Sequence, residues 1–510
     1  MESNYSSSSI PPANIMEKLP KSKTLELRQK HIGGAMKMFF SHDPVKIVRA
    51  SGQYMYDEQG NQYLDCINNV CHVGHCHPDV VEAAHRQMQV LNTNSRFLHD
   101  DMVLLAEKIT STMPESLSVV FMTNSGSEAN DLAMRLARHH TKGTDVITLD
   151  NAYHGTVVTT MDISPYKLDR NTDGVHPIPD HVHVASCPDV YGGIYRDCDY
   201  PGEDMGEKYA ADVDEIINKI HSNGRKLSCY ISESMQSCAG QVIFPKGYLK
   251  NVYRSVRKAG GVCIADEVQV GFGRVGTHYW AFQPEGVVPD IVTMGKPMGN
   301  GHPVSAVVTT REISDSFQKS GMTYFNTYGG NPVSCAIALA VLNVIEKEGL
   351  LEHAIIIGQY LKDKLRELQK ELPIIGDIRG RGMFVGIALV KDLKTREPAT
   401  KEANETICRM KKEFILLSTD GPHENVLKFK PPLCFNKDNV DVLVNKLAVA
   451  LRDISTSSEE KAKNTQEINE LSHDKNNSAV VDFGRQCSGF SSSLTSEVVG
   501  EPSAKVMKVH

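Results

Sequence analysis

The sequence predicts an α/β protein with a mainly parallel sheet covered by helices on both faces, joined to a smaller α+β domain. Short apolar runs at residues 119–123, 145–149 and 262–265 have the length and composition of buried strands. Between the first two runs, apolar residues recur at three-and-four spacing over 129–137, which predicts one face of a helix. Alternating strands and helices indicate a parallel sheet with both faces covered.

The smaller domain is predicted from a later change of pattern. Residues 380–389 are interpreted as one strand, followed by a helix and a further strand, and another helical run covers 332–346. The Ser-rich start and the polar end of the chain have few core-forming residues. We predict a disordered lead at 1–24, the N-terminal part of the small domain and a linker at 25–95, the large domain at 96–330, the C-terminal part of the small domain at 331–455, and a disordered tail at 456–510.

Composition excludes several classes of function. The 510 residues carry a formal net charge of −7, and the isoelectric point is about 6.3. This balance argues against nucleic-acid binding and against anionic membranes. We find no uninterrupted apolar stretch long enough for a membrane span. The N-terminus lacks an apolar signal core, and with Glu2, Glu17 and a first arginine at Arg28 it is a poor transit peptide.

The cysteines favour a reduced compartment. Twelve are scattered along the chain, several inside apolar runs such as those around Cys263 and Cys335. Cysteines and histidines also alternate over residues 66–77, but the cysteine spacing of five does not match that of structural zinc sites. We therefore predict no metal site and interpret this stretch as a packed segment.

Lys296 and Asp266 have the layout of a pyridoxal phosphate site. Asp266 ends an apolar run, and Lys296 follows a second apolar run thirty positions later. In such a site the lysine amine bonds the cofactor aldehyde, and the ionised aspartate keeps the pyridine nitrogen protonated, which makes the ring an electron sink. Taken alone, the pair fits an ordinary surface lysine and a strand-end aspartate equally well.

Three further motifs strengthen this interpretation. The turn Asn-Ser-Gly-Ser-Glu-Ala-Asn at 124–130 leads from a strand into a helix, where Ser125, Gly126 and Ser127 would cradle a phosphate; a plain serine N-cap is the alternative. Tyr153 follows a strand and would stack on a flat ring, although packing is the more common role of such a tyrosine. Thr327, before a Gly-Gly turn, would be a second phosphate donor or would bond its own backbone.

These motifs resemble those of the class-III aminotransferases, in the same order and over about residues 28–452. They are Asn-Ser-Gly-Ser-Glu-Ala, Ala-Tyr-His-Gly, Ala-Asp-Glu-Val-Gln, Gly-Lys-Pro-Met-Gly-Asn-Gly and Thr-Tyr-Gly-Gly-Asn-Pro. The chain is more closely similar to the alanine–glyoxylate aminotransferase 2-like group, which includes ethanolamine-phosphate phospho-lyase and 5-phosphohydroxy-lysine phospho-lyase. Residues 63–70, 74–78 and 91–100 carry this closer match.

The resemblance implies a type I pyridoxal phosphate-dependent fold, in which the large domain holds a seven-stranded sheet and both chain ends build the small domain. It implies a homodimer with shared active sites, and its members are associated with mitochondria; the cytosol remains the alternative compartment. It also assigns roles by motif: Lys296 to the covalent cofactor bond, Asp266 to the pyridine nitrogen, Gly126 and Ser127 to the phosphate, Tyr153 to ring stacking, Gln269 to the 3-hydroxyl, Glu233 to the cofactor's surroundings, and Thr327 to the phosphate in the neighbouring subunit.

Three departures from the family pattern bear on the substrate. Lys428 stands where many α-amino-acid transaminases carry an arginine that grips the substrate carboxylate, and lysine cannot make that two-pronged contact but binds phosphate well. Cys238 stands where ornithine aminotransferase-like members carry a glutamate that pairs with that arginine. Asn151 and Thr156 replace two histidines common in the related lyases.

Three functions remain open. The departures favour a phospho-lyase acting on a small-molecule phosphorylated amine, O-phosphoethanolamine or 5-phosphohydroxy-lysine, with Lys428 as a substrate-binding residue. A transaminase of the alanine–glyoxylate type would use the same fold and cofactor. A catalytically silent cofactor-binding protein is the third possibility, and the intact Lys296 and Asp266 argue against it.

Overall fold

The computed structural model describes residues 17–168 and 177–456. The predicted disordered tail therefore lies outside the described residues except for its first position, and so do residues 1–16 of the predicted lead. The rest of that lead differs from the prediction, since a helix begins at Lys21. The ordered part of the chain thus starts before residue 25.

Helices occur throughout the described residues and alternate with strands. They are α1 Lys21–His31, α2 Pro78–Val90, α3 Asp100–Ser111, α4 Gly126–Thr141, α5 Val158–Asp162, α6 Pro165–Leu168, α7 Met205–Ser222, α8 Tyr248–Lys258, α9 Arg311–Lys319, α10 Pro332–Lys347, α11 Leu350–Glu371 and α12 Thr400–Lys412. A final helix covers residues 437–456. Short 3-10 turns lie at Gln283–Glu285 and Lys296–Gly299.

The strands fall into three sheets. They are β1 Ile47–Ser51, β2 Tyr54–Asp57, β3 Gln62–Asp65, β4 Leu117–Thr123, β5 Asp145–Leu149, β6 Val182–Ala185, β7 Leu227–Glu233, β8 Val262–Asp266, β9 Ile291–Met294, β10 Ser305–Thr310, β11 Ile375–Arg381, β12 Phe384–Leu389, β13 Ile415–Leu416, β14 Ser418–Asp420 and β15 Val426–Phe429.

The central sheet has seven strands in the order β4-β10-β9-β8-β7-β5-β6. Only β10 runs antiparallel to its neighbours among these strands, so the predicted mainly parallel sheet is confirmed. In this register the last residue of β8, Asp266, lies beside Glu233 of β7 and Thr293 of β9. The carboxyl ends of the parallel strands thereby bring polar side chains to one edge, where ligands bind in such sheets.

Both faces of this sheet are buried. One apolar cluster joins α4 to alternate residues of the strands, such as Val146, Ile231 and Ile264. The residues between them, such as Ile147 and Tyr230, belong to the larger cluster on the other side, with α7, α8 and α10. This alternation explains why the strand sequences are apolar throughout rather than at every second position.

Two further sheets have four strands each, in the orders β1-β2-β3-β13 and β11-β12-β15-β14. In the first, β13 pairs with β3, so segments from both ends of the chain share one sheet. Residues up to Ser455 belong to one compact unit. The division of this unit at residues 95 and 330 stays a prediction.

The predicted single strand at 380–389 was wrong. This segment forms the end of the first strand, the turn and the second strand of a hairpin, because β11 and β12 pair antiparallel across Gly382 and Met383. Gly382 has a φ of +52°, in the left-handed region that glycine adopts without strain. The apolar run therefore reverses where the sequence pattern indicated continuation, while the following helix α12 and strand β13 occur as expected.

The histidines of residues 66–77 have other partners than a metal. His72 Nε2 lies 2.6 Å from the Phe272 carbonyl oxygen, and His75 Nε2 lies 2.7 Å from Asp65. Among the described residues, no cluster of side chains has a composition that would hold a metal ion. Within the same residues, no helix is both long and apolar enough to cross a membrane.

Candidate active site

A cavity of about 370 Å³ opens at the carboxyl edge of the central sheet. Its volume falls in the range of small-molecule sites, about 300–1,000 Å³. Segments that follow β4, β5, β7, β8 and β9 all reach it. The residues predicted from sequence that line it are Ser125, Gly126, Ser127, Tyr153, Glu233, Asp266, Gln269 and Lys296.

Asp266 is held at the floor of the cavity by three donors. Its Oδ2 accepts hydrogen bonds from Asn130 Nδ2 and His154 Nδ1, each at 2.8 Å, and its Oδ1 accepts one from the Val268 amide at 3.0 Å. Asp266 is 2% exposed. These three hydrogen bonds fix the orientation of the buried carboxylate group.

His154 is a site residue that the sequence reasoning did not single out. Because carboxylate oxygens accept, the His154 Nδ1 carries the hydrogen in its contact with Asp266. The ring's Nε2 is buried and has no hydrogen-bond partner in the described part of the chain. His154 also lines the cavity. Its position directly after Tyr153 was visible in the sequence, but its contact with Asp266 depends on how β5 and β8 are placed in the sheet.

Asn130 is the second residue that was missed. It lies on α4, accepts a hydrogen bond from the Thr293 hydroxyl at 2.7 Å, and donates to both Asp266 and the His154 carbonyl oxygen at 2.8 Å. The amide therefore locks the helix to the strands that carry the site. A polar residue on the apolar face of α4 was the only signal in the sequence.

Lys296 faces the same cavity from the 3-10 turn after β9. Burial lowers the pKa of Lys296 from its ordinary value, against the opposing effects of Asp266, Cys238 and Glu233. A lowered pKa increases the fraction of neutral amine, the form that can attack an aldehyde or take a proton. The geometry of this residue therefore matches the chemistry predicted for it.

The turn between β4 and α4 forms the opposite wall. Ser125 is the N-cap of α4, and its hydroxyl accepts from the Glu128 amide at 3.2 Å. The Ser127 hydroxyl accepts from the Thr156 amide at 3.1 Å, so Thr156 contributes through its backbone. A Cβ on Gly155 would lie 2.5 Å from Ser127 Oγ. Free amides of a helix start, with small residues around them, are suited to hold a phosphate.

Tyr153 and Gln269 line the cavity between these walls. The Tyr153 ring is half-buried and meets Tyr166 edge to face, with centroids 6.3 Å apart. The Gln269 Oε1 accepts from Lys430 Nζ at 2.5 Å and from Asn69 Nδ2 at 3.5 Å. Tyr153 thus presents a flat ring to the cavity, and Gln269 presents an amide whose oxygen is held by Lys430 and Asn69.

Glu233 brings a second carboxyl group into the cavity. Its Oε2 accepts from the Ser237 amide at 3.1 Å, while its Oε1 is buried without a partner in the described part of the chain. Burial, together with the nearby Asp266, raises the pKa of Glu233 to about 8. Glu233 is therefore mostly protonated near neutral pH and able to donate a hydrogen bond to a ligand.

Two predicted site residues do not line this cavity within the single chain. Thr327 is exposed on the segment before α10. Lys428 lies on β15, where its ammonium forms an ion pair with Asp420 of β14. Although burial disfavours the charged form, Asp420 and Cys238 raise the pKa of Lys428 above its ordinary value. Asp420, which the sequence reasoning missed, thus supplies a carboxylate to the lysine.

Comparison with known proteins identifies the class of the molecule. The family described as "Aminotransferase class-III" matches residues 39–451. The chain belongs to the class-III aminotransferase family, and it is an enzyme of that kind.

The names of individual relatives refer either to alanine–glyoxylate aminotransferase or to ethanolamine-phosphate phospho-lyase. A Drosophila melanogaster protein named "Alanine–glyoxylate aminotransferase 2-like" is 58% identical over 83% of this chain and 86% of its own length. A Caenorhabditis elegans protein named "Ethanolamine-phosphate phospho-lyase homolog 1" is 51% identical over 86% of this chain and 94% of its own. The human "Alanine–glyoxylate aminotransferase 2, mitochondrial" is 36% identical over 87% of this chain and 89% of its own.

One solved structure extends the comparison to the fold. It is a phospholyase from Arthrobacter in complex with phosphoethanolamine, which is 39% identical and has a TM-score of 0.79. The match covers 84% of this chain and 99% of that one. The predicted α/β fold of the pyridoxal phosphate-dependent aminotransferases is therefore confirmed.

Proposed function

We propose that this protein is a pyridoxal phosphate-dependent phospho-lyase that releases phosphate and ammonia from a phosphorylated amine. The observation that carries the proposal is the ion pair between Lys428 and Asp420. At this position many related transaminases carry an arginine that grips the substrate carboxylate, whereas here the cation is a lysine that is paired with Asp420 and cannot make the two-pronged contact. O-Phosphoethanolamine and 5-phosphohydroxy-lysine are the candidate substrates, and similarity to the Arthrobacter phospholyase supports this class.

The cavity fits the cofactor. The buried His154 Nε2 and Glu233 Oε1 have no partner in the described residues, although both side chains line the cavity. Such atoms are normally satisfied by a protein group, water or a ligand. The α4 N-terminus would take the phosphate, Asp266 the ring nitrogen, Tyr153 the ring face, Gln269 and Glu233 the polar ring substituents, and Lys296 the aldehyde.

Bound there, pyridoxal phosphate supplies an aldehyde that takes the substrate amine and a ring that accepts the electrons released when a proton leaves the neighbouring carbon. Lys296, displaced by the substrate amine, takes that proton as a general base, and its lowered pKa favours the neutral form needed for this step. Asp266, whose orientation is fixed by His154 and Asn130, would face the ring nitrogen.

Elimination completes the reaction when phosphate departs from the next carbon with the electron pair of its C–O bond. The unsaturated amine left behind is hydrolysed to an aldehyde and ammonia. A phosphate leaving group makes this route faster than returning the proton to the cofactor. The residues that hold the phosphate therefore decide between lyase and transaminase.

Transamination of the alanine–glyoxylate type is the second candidate, because three of the relatives carry that name. It requires the same proton removal by Lys296, followed by its return to the cofactor. A silent cofactor-binding protein is opposed by the intact Lys296 and Asp266 in one cavity. Turnover of any of the candidate substrates, lost in Lys296→Ala, would exclude this third candidate.

We also propose a homodimer with shared active sites in mitochondria. Thr327, expected at the cofactor phosphate, is exposed and outside the cavity of its own chain, as a residue serving a partner subunit would be. Relatives from Arabidopsis thaliana and human carry "mitochondrial" in their names, and the cytosol is the alternative. A fluorescent fusion imaged with a mitochondrial marker would decide between the compartments.

The direct test of substrate class is product analysis with purified, cofactor-loaded protein. O-Phosphoethanolamine and 5-phosphohydroxy-lysine are supplied in separate reactions, with alanine plus glyoxylate as a third. The proposal expects equal amounts of phosphate and ammonia from one of the first two. Pyruvate and glycine from the third, without phosphate release from the others, would contradict it.

A further inference from the structure

Lys430 is a buried lysine without an ion-pair partner among the described residues. It follows β15, is 6% exposed, and its backbone amide donates to the Cys66 carbonyl oxygen at 3.0 Å. Its Nζ donates to the neutral Gln269 Oε1 at 2.5 Å. Within the described residues no carboxylate lies at ion-pair distance from this Nζ, whereas Lys428, two residues away, is paired with Asp420.

The surroundings of Lys430 disfavour its protonated form. Lys428 on the same segment and Lys296 on the turn after β9 repel a second cation. Cys238, Asp420 and Glu233 act in the opposite sense. Burial, followed by Lys428 and Lys296, lowers the pKa of Lys430 well below its ordinary value. A buried amine with a lowered pKa gives up its proton more readily, and an anion placed beside it would favour the protonated form.

Lys430 lies one hydrogen bond behind the wall of the active-site cavity. Gln269, which accepts from it, lines that cavity together with Lys296 and Asp266. Because an amide side chain can rotate, Gln269 can release the lysine toward a ligand. The second lysine of the Lys-Phe-Lys-Pro-Pro segment is thus the one without a carboxylate partner among the described residues.

We infer that Lys430, rather than Lys428, receives the phosphate of the substrate and takes up a proton from solvent as the phosphate binds. This inference rests on the proposed phospho-lyase function and names its anion-binding residue. In the ligand-free protein Gln269 holds the neutral amine; when the substrate binds, the ammonium pairs with the phosphate. Lys428 and Asp420 then form a neutral pair beside this site.

The assignment also predicts a trade-off between binding and stability. A buried amine held by a single amide is less favourable than an apolar side chain of similar length. Lys430→Met should therefore unfold at the same or a higher temperature than the native protein, measured without substrate. A lysine that served only packing or structural hydrogen bonding would instead lose stability on this substitution.

The test uses a ligand that binds but cannot eliminate. In 3-aminopropylphosphonate a CH₂ group replaces the ester oxygen of O-phosphoethanolamine, and n-butylamine is the matched amine without an anion. Calorimetric titration of cofactor-loaded protein gives both affinities. Lys430→Met should weaken phosphonate binding about 10- to 100-fold, the range of a charge-assisted contact, and leave butylamine binding within about twofold.

Proton uptake is measured in the same titrations. At about pH 8.5, in buffers of different ionisation enthalpy, the native protein should take up more protons with the phosphonate than Lys430→Met does, by up to about one per site. Lys430→Arg, which keeps a cation, should retain part of the preference for the phosphonate. The double variant Lys428→Met/Asp420→Asn, which removes the neighbouring ion pair as a unit, should weaken phosphonate binding less than Lys430→Met does.

Three results would overturn the inference: unchanged phosphonate affinity in Lys430→Met, an equal loss for both ligands, or a larger loss in the double variant. None of them depends on turnover. If the protein binds the phosphonate through Lys430 but releases no phosphate from any phosphorylated amine, the proposed function fails while the anion site stands.

Discussion

At the scale of single residues, the orientation of the Asp266 carboxyl group depends on its hydrogen-bond donors. Asp266 is fixed by His154, Asn130 and the Val268 amide, and the first two come from different elements of the fold. Losing one donor leaves a buried carboxylate less well satisfied and free to turn. The residues behind Asp266 should therefore affect cofactor binding almost as strongly as residues that touch the cofactor.

His154→Phe tests this role, because it keeps an aromatic ring but removes the donor. We expect the cofactor dissociation constant to rise about 10- to 100-fold, measured by absorbance titration of the apo protein. The matched control is His183→Phe, which removes an imidazole bonded to Asp145 at 2.9 Å at the far end of β5. Equal losses of cofactor affinity in the two variants would contradict a specific role for His154.

Glu233 predicts a pH dependence of stability. Its pKa is raised to about 8 from 4.5, so the protonated form is the one that the fold stabilises. This stabilisation is complete below about pH 4.5 and is lost as pH rises through about 8. The unfolding temperature of Glu233→Gln in the apo protein should match the native value near pH 5 and exceed it by roughly 1–3 °C near pH 9. A constant difference across this range would count against the raised pKa.

At the scale of elements, the turn from β4 into α4 has to approach the rest of the site closely. A Cβ on Gly126 would lie 2.8 Å from Val268 Cγ1, on the segment that follows Asp266. This contact sets the position of the helix N-terminus relative to the strand end that carries the carboxylate. Close packing against Val268 is thus a second reason for a glycine at position 126, in addition to its place in the turn proposed to bind phosphate.

Gly126→Ala should push these two segments apart and weaken cofactor binding about tenfold or more. Val268→Ala in the same chain removes the methyl groups in contact and should restore part of the affinity. Gly34→Ala is the control, since a Cβ there has no neighbour within 4 Å. If Val268→Ala restores no cofactor affinity, the loss in Gly126→Ala comes from the conformation of the turn rather than from the contact with Val268.

At the scale of the whole molecule, one surface has an apolar character that suits a subunit contact. Seven exposed apolar side chains lie within residues 88–104, on α2, on α3 and on the segment between these helices: Met88, Val90, Leu91, Phe97, Leu98, Val103 and Leu104. Clusters of this kind on a folded protein mark interaction sites. A homodimer that buries them would also allow Thr327 of one subunit to complete the site of the other.

Mixing two inactive variants tests the shared site. Lys296→Ala lacks the general base, and Thr327→Glu places a negative charge where the cofactor phosphate is expected; each alone should lose at least about 100-fold in activity. Refolded together, half of the dimers combine one chain of each kind, and one site in each is intact, so about a quarter of native activity should return. Absence of recovery, with mixed dimers verified by mass spectrometry, would place Thr327 in its own subunit's site or outside any site.

Much of the fold was predictable because local patterns determine it. The strand at 145–149 has the predicted limits, and the predicted helix near Ser127 begins one residue earlier. Asp266 and Lys296 line one cavity because each follows a parallel strand, and parallel strands end at one edge.

What escaped prediction depends on packing between distant segments. The contact of His154 with Asp266 spans 112 positions, and nothing in either local sequence encodes it. Asp420 pairs with Lys428 only because β14 lies beside β15. The hairpin at Gly382 shows the reverse failure, in which a segment predicted as one continuous strand is broken by the turn between β11 and β12.

The most direct test of a phospho-lyase is repeated turnover in the absence of any keto-acid acceptor. Cofactor-loaded protein is given O-phosphoethanolamine or 5-phosphohydroxy-lysine alone, and phosphate release is followed together with cofactor absorbance. A lyase should release many equivalents of phosphate per active site while the cofactor absorbance returns to its starting form. A transaminase would stop after one conversion of its cofactor without releasing phosphate, and that result would contradict the proposed function.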